Sequence, residues 1–252
     1  MVTRHTISHA DILLAGNARH PGYNTNFGGG RGVEMSQLYF HSFGAPLAID
    51  QNAMIVAATG AELPNIATIT YTFPIAAAAT PQDGVNITGI IATPRNISCL
   101  TTHATSIVAM TIAVTGTDVN GDAISETITV AATGTSVTDE GVKAFATVTS
   151  VAITSAGNAT TNTFNLGWGD ALGLPIRLSN LEDLIAANAD GSVEDATPVA
   201  AVTTDPATAT TGDVRGTVNF AQASNATIRF GVLYRVDRST DLLAHGVANF
   251  AG

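Results

Sequence analysis

Between Ser106 and Val130 apolar side chains recur at every second position: Val108, Met110, Ile112 and Val114, then, beyond Asp118, Asn120, Gly121 and Asp122, Ile124, Ile128 and Val130. An extended strand places alternate residues on one face, whereas a helix would scatter them around its axis, so this stretch can bury its apolar side only as β structure. Asn120-Gly121 between the two runs predicts a hairpin with a type I′ turn, in which both central residues take positive φ. The same period recurs at Ile69, Tyr71 and Phe73 against Thr68, Thr70 and Thr72, a run ended by Pro74. It returns in residues 143–153 and 163–168, and at Ile228, Phe230, Val232, Tyr234 and Val236. A less regular strand is expected through Val85, Ile87 and Ile91.

Several short strands separated by turn signals predict a mainly β fold, an Ig-like or jelly-roll-like β-sandwich. One short helix is expected within it. Ser179, Asn180, Leu181 and Glu182 form a capping box, Leu181, Leu184 and Ile185 share a helical face, and Asp190-Gly191 supplies the stop. Residues 191–212, rich in Thr, Ala, Asp and Pro, read as a loop. Residues 1–62 sustain no alternation and include the glycine-rich run from Pro21 to Gly32, so they read as an extended N-terminal arm on a sandwich body of residues 63–252. The arm contains Leu13, Leu14, Leu38, Tyr39, Phe40, Met54, Ile55 and Val56, more apolar residues than a disordered tail carries. It is expected to order against the body or a neighbouring subunit. No internal repeat of fixed period is evident, which argues against a solenoid or propeller.

A chain of 252 residues with 45% hydrophobic content can bury a core without a staple. Cys99 is the only cysteine, which excludes an intrachain disulfide and a thiolate zinc cluster and leaves a buried small apolar residue as its expected role. Charged residues make up 12% of the chain, about half the ordinary share, and Lys143 is the only lysine. A freely dissolved monomer interrupts its surface with charge, so much of this surface is expected to be covered by partner subunits. The net charge of −10 offers no basic stripe to phosphates, so no nucleic-acid partner is expected. The opening residues lack an apolar signal region, and no run reaches the ~18 apolar residues of a membrane helix. Synthesis in the cytoplasm, with no membrane partner, is the expectation.

Candidate chemistry is sparse. Asp118, Asn120, Asp122 and Glu126 group oxygens as a calcium loop does, but the glycine stands at the fourth position instead of the sixth, and Asp and Asn are what hairpin turns favour anyway. His5 and His9 with Asp11 could share a helical face around a metal; solvated histidines are the simpler reading. The glycines from Phe27 to Gly32 lack the Gly-Lys-Ser/Thr of a phosphate loop. No Gly-x-Ser-x-Gly elbow occurs, and His20, His41, His103 and His245 have no local triad partners. Glycosylation matches begin at Asn86, Asn96, Asn158 and Asn225 and are read as unmodified. Arg177 and Arg215, the latter beside Asp213, suit buried or interfacial ion pairs in so charge-poor a chain. Trp168, flanked by glycines, reads as a core or interface anchor. No catalytic, cofactor-binding or metal-binding residue is assigned.

Three segments together carry a resemblance. They are Thr115-Gly-Thr-Asp-Val-Asn-Gly-Asp-Ala-Ile-Ser-Glu-Thr-Ile-Thr129 with Lys143-Ala-Phe-Ala-Thr-Val-Thr-Ser-Val151, then Gly167-Trp-Gly-Asp-Ala-Leu-Gly-Leu-Pro-Ile-Arg177, then Gly212-Asp-Val-Arg-Gly-Thr217. This set resembles structural proteins of tailed bacteriophages, of the capsid decoration or cement type, over about residues 94–237. The resemblance implies a non-enzymatic virion protein without cofactors, made in the host cytoplasm and seated on the capsid exterior. Its implied partners are the major capsid protein and itself, as a homodimer or homotrimer. Two alternatives stand beside it, a tail tube or tail-tip subunit and a bacterial surface adhesin domain. A glycan-degrading virion enzyme would need spaced paired carboxylates, which the adjacent Glu182 and Asp183 do not supply.

Overall fold

The computed structural model describes residues 37–59, 68–74, 88–155, 162–176, 178, 183–199 and 216–236. Among them run the strands β1 (Gln37–Gly44), β2 (Asp50–Thr59), β3 (Thr68–Thr72), β4 (Ile90–Thr102), β5 (Met110–Thr117), β6 (Ala123–Val130) and β7 (Ser136–Glu140). They continue as β8 (Phe145–Ser155), β9 (Thr163–Gly173), β10 (Leu184–Ala189), β11 (Ser192–Glu194), β12 (Ala196–Val199), β13 (Thr217–Phe220) and β14 (Phe230–Val236). All pairings between them are antiparallel. The fold is therefore mainly β and sandwich-like, as the alternation predicts.

β6, β5, β8 and β3 lie side by side in one layer, and β2, β9, β4 and β7 form the layer facing it. β4 joins the two. It meets β8 at Ile90↔Thr147 and Arg95↔Phe145, shifts register, and then runs along β9 from Ile97↔Trp168 to Thr102↔Thr163. The alternation now has its destination: Ile112, Val114, Ile128, Val151 and Ile153 from one layer meet Met54, Ile55, Ile97, Phe164 and Leu166 from the other in the main core. Each such side chain contributes about 1.5–3 kcal/mol by leaving water.

A second core lies under a smaller sheet of order β1-β14-β10-β11. It gathers Phe43, Leu172, Leu174, Val218, Phe220, Phe230, Val232 and Tyr234. Phe220 meets Phe43 edge-on at 5.7 Å and packs tilted against Phe230 at 4.7 Å. β9 serves both cores, with Phe164 and Leu166 in the first and Leu172 in the second.

Four expectations are corrected here. The arm of residues 1–62 is not an arm over its second half: β1 pairs with β14, and β2 pairs with β9 inside the main sheet. Residues 1–36 lie outside the described residues. The helix is replaced by a strand, since Leu184 and Ile185 open β10, which pairs with β14; Ser179 to Glu182 lie outside the described residues. The loop of residues 191–212 contains β11 and β12 in its first part. The β5–β6 hairpin is as predicted from Met110↔Val130 to Thr117↔Ala123, but its turn is not type I′. There Gly121 has a φ of 86° and Asn120 does not share it, while the Gly121 N–H donates to the Asp118 carbonyl at 3.1 Å, a type I turn followed by a glycine bulge. Of the strand through Val85, Ile87 and Ile91, only Ile91 is described, and it lies in β4.

Candidate interaction surfaces

Two of the carboxylates that suggested calcium, Asp118 and Glu126, accept backbone N–H groups. Asp118 is 1% exposed, and its Oδ1 accepts the N–H groups of Asn120 at 2.8 Å and Asp122 at 3.0 Å, which shapes the turn. Glu126 points inward from β6, where Oε1 accepts the Val142 N–H at 2.7 Å and Oε2 the Lys143 N–H at 3.1 Å. Burial pushes the Glu126 carboxyl pKa up, opposed by those two N–H groups and by the Lys143 ammonium. Lys143 is itself buried, and burial lowers its pKa against the pull of Glu126. No group of three or more His, Cys, Asp or Glu side chains among the described residues could hold a metal.

The remaining candidates serve structure. His41 is half-buried with its ring edge-on to Phe43 at 4.7 Å, and the His103 Nδ1 accepts the N–H groups of Thr105 and Ser106, both at 2.9 Å. Cys99 is fully buried, and burial pushes its thiol up to about 12, the inert state expected of a core cysteine. Asn96 is buried, its Nδ2 donating to the Gly141 carbonyl and its Oδ1 accepting the Ala171 N–H. The Asn225 Oδ1 accepts from the N–H groups of Thr227 and Ile228. Trp168 is an anchor, with Nε1–H donating to the Ala48 carbonyl at 3.1 Å. His5, His9, Asp11, His20, the run from Phe27 to Gly32, Asn86, Asn158, Arg177, Glu182, Asp213, Arg215 and His245 lie outside the described residues.

Among the described residues, ion pairs form at Arg95 and Arg235. Arg95 on β4 is 2% exposed; Nη1 donates to the Leu47 carbonyl at 2.8 Å, and Nη2 donates to the Ser224 Oγ at 2.8 Å and pairs with Asp170 at 3.5 Å. Burial lowers the Arg95 pKa to about 10, with Asp170 acting against the shift. Ser224 donates both its N–H and its hydroxyl to Asp170, so the serine ties the β13–β14 connection to β9 beside Arg95. Arg235 pairs with the buried Asp183 at 2.8 Å. No local pattern marks Arg95, because its partners are 48, 75 and 129 residues away. The cleft beside it, lined by Leu47, Ile91, Ala92, Thr93, Arg95 and Trp168, measures about 30 Å³, room for a single water molecule.

Asp139 gives a pH-dependent prediction. Its Oδ2 is buried with no hydrogen-bond partner among the described residues, and burial raises the carboxyl pKa. A carboxyl raised in the fold is easier to bury protonated, so its contribution is best at low pH and worsens as pH rises through the raised value. Asp139→Asn is therefore expected to raise the thermal midpoint at neutral pH, with the gain fading as the pH is lowered. Thermal unfolding of both proteins across a pH series checks this.

The outer face of β6, β5, β8 and β3 is a further surface feature of the described residues. The pairings align Thr129, Thr111, Thr154 and Thr68 in one row, Thr127, Ala113, Ala152 and Thr70 in the next, and Ser125, Thr115, Ser150 and Thr72 in a third. Every position is Thr, Ser or Ala. The four strands hold one charged residue, Glu126, and it turns inward. The hydroxyls bond one another across strands, with Thr68 to Thr154 at 2.7 Å, Thr115 to Ser150 at 2.7 Å and Thr117 to Thr147 at 2.6 Å. Cross-strand Thr pairs stabilise the sheet by about 0.2–1 kcal/mol each. They also leave methyl groups and already bonded hydroxyls facing outward.

A second, apolar patch lies on the small sheet. Phe40 of β1 is 62% exposed and its ring covers Gly231 of β14; Val193 of β11 is 92% exposed beside Asn188. Ile185 is exposed on β10. In comparisons with known proteins, the chain matches no protein-family model, no curated protein and no solved structure.

Proposed function

We propose that this chain is a non-enzymatic virion structural protein of a tailed bacteriophage, which binds the outside of the capsid and cements contacts between major capsid proteins. The observation that carries the reading is the four-strand face of Thr, Ser and Ala without a charge, on a chain whose net charge is −10. Such a chain would be kept apart by its charge, yet it leaves a broad sheet face neutral, which favours a surface meant to be covered. The resemblance of three segments to phage structural proteins gives that assembly its name. A protein that binds only the mature shell stabilises it by mass action, adding RT ln(1 + [L]/Kd) for every site filled.

Particles produced without this chain are therefore expected to release their genome at a lower temperature than complete particles, with stability restored by adding back the purified protein. Genome release followed by dye fluorescence during heating measures this. Equal release temperatures, with and without the chain, would contradict the cement role.

A further inference from the structure

We infer that the cleft beside Arg95 binds one water molecule as a fixed part of the fold, held by the Arg95 Nε–H. The inference is independent of the virion reading, since it concerns the interior of the chain alone. Arg95 is 2% exposed, and both of its Nη atoms are engaged, Nη1 with the Leu47 carbonyl and Nη2 with Ser224 and Asp170. Nε is buried and has no hydrogen-bond partner among the described residues. A donor shut away from solvent without an acceptor is costly, and folded proteins meet such groups with ordered water where there is room for it.

The room lies next to it. Arg95 lines the cleft together with Leu47, Ile91, Ala92, Thr93 and Trp168, and the volume of about 30 Å³ is that of one water. The same cleft is where β4 changes partners. β4 meets β8 at Ile90 and Arg95 and takes up β9 from Arg95 onward, so residues 91–94 align with no residue of either strand. Pro94 has no N–H to offer, but the carbonyls of residues 91–93 and the Thr93 hydroxyl are acceptors for the two protons of a water on Nε. Water then stands in for the strand partner that β4 lacks while it crosses between the layers.

The lining decides against other occupants. The guanidinium already faces the Asp170 carboxylate at 3.5 Å, so the cleft offers no uncompensated positive charge to draw an anion, and it is too small for a phosphate or carboxylate group. A cleft stays dry when its walls are wholly apolar, whereas Arg95 and Thr93 bring polar groups to this one. The indole cannot serve Nε either, because Trp168 Nε1–H is itself a donor and is engaged with the Ala48 carbonyl.

A high-resolution crystal structure of the full chain, paired with nuclear magnetic resonance in solution, tests the inference. The crystal is expected to show a single water inside the cleft, about 2.7–3.2 Å from Arg95 Nε. In solution the Arg95 Hε resonance is expected to give a cross-relaxation peak with water, of the sign that marks a long-lived contact instead of passing bulk solvent. A protein acceptor on Nε, an anion in the cleft, or a cleft without density each overturns the inference. An Arg95 Hε resonance with no long-lived contact to water overturns it as well, even where the crystal shows the peak.

Discussion

Replacing Arg95 with methionine is expected to destabilise the protein by about 3 kcal/mol, lowering the thermal midpoint by about 10 °C. The guanidinium ties three separate pieces together: the carbonyl of Leu47 between β1 and β2, Asp170 on β9, and Ser224 between β13 and β14. Methionine keeps much of the volume and removes every one of those bonds. Asp170 is then left with its side chain 16% exposed and no counter-charge among these partners. Adding Asp170→Asn should recover part of the loss, because it removes the uncompensated charge that makes a half-broken pair so costly. Chemical unfolding of the two single variants and the double variant measures this as a coupling. Equal stability of Arg95→Met and wild type would show that the clamp contributes nothing.

Gly167→Ala is the other large effect, again about 3 kcal/mol. A Cβ at residue 167 would lie 1.8 Å from the Asp50 carbonyl oxygen and 2.9 Å from the Ala53 nitrogen, both backbone atoms. The β1–β2 connection cannot yield easily, since Arg95 holds the Leu47 carbonyl and Trp168 the Ala48 carbonyl. Glycine here lets β2 cross close over β9. Trp168 is the only tryptophan and is 7% exposed, so its fluorescence reports on this crossing without interference. The variant should unfold at lower denaturant and show red-shifted emission before unfolding. An unshifted spectrum with an unchanged midpoint would mean that β2 moves aside at no cost.

Both effects fall on a region that local pattern could not reveal. Alternation located β3, the β5–β6 hairpin, β8, β9 and β14, because each of these strands turns one face to a core and the other to solvent or a polar layer. β2 escaped it because Ala53, Met54 and Ile55 are buried in succession where its register against β9 shifts. In β4, Arg95, Asn96 and Ser98 are buried polar residues bonded to distant partners, so the strand reads as mixed loop sequence. In β1, Tyr39 and Phe40 are partly exposed, which hides the period.

The turns show how close the competing signals were. Asp190-Gly191 read as a helix stop, yet both residues take positive φ, 49° and 82°, and join β10 to β11 as the type I′ turn expected instead at Asn120-Gly121. At Asn120 the Asp118 side chain decided otherwise, by accepting two N–H groups within the loop. At Leu184 and Ile185 the expected helix gives way to pairing with β14, a tertiary preference that no local helix signal can register. As for the candidate surface, the Thr residues opposite Ile69 and Tyr71 were visible as a polar face on one strand. That four strands align such faces into one uncharged surface follows only from their registers.

Those registers also change how the low charge is understood. Lys143 and Glu126 stand together in the interior, and Arg95 and Asp170 clamp the two cores. The few charges of the chain are partly spent inside, which leaves its outer sheet neutral and suited to contact. On the proposed reading the protein works by being covered by the shell.

Reconstruction of tailed-phage particles purified from a host that produces this chain tests the proposed virion role most directly. The expected result is density for the chain on the capsid exterior, bridging neighbouring major capsid proteins, with the Thr, Ser and Ala face covered. Density confined to the tail, or particles from which the chain is absent, would contradict it.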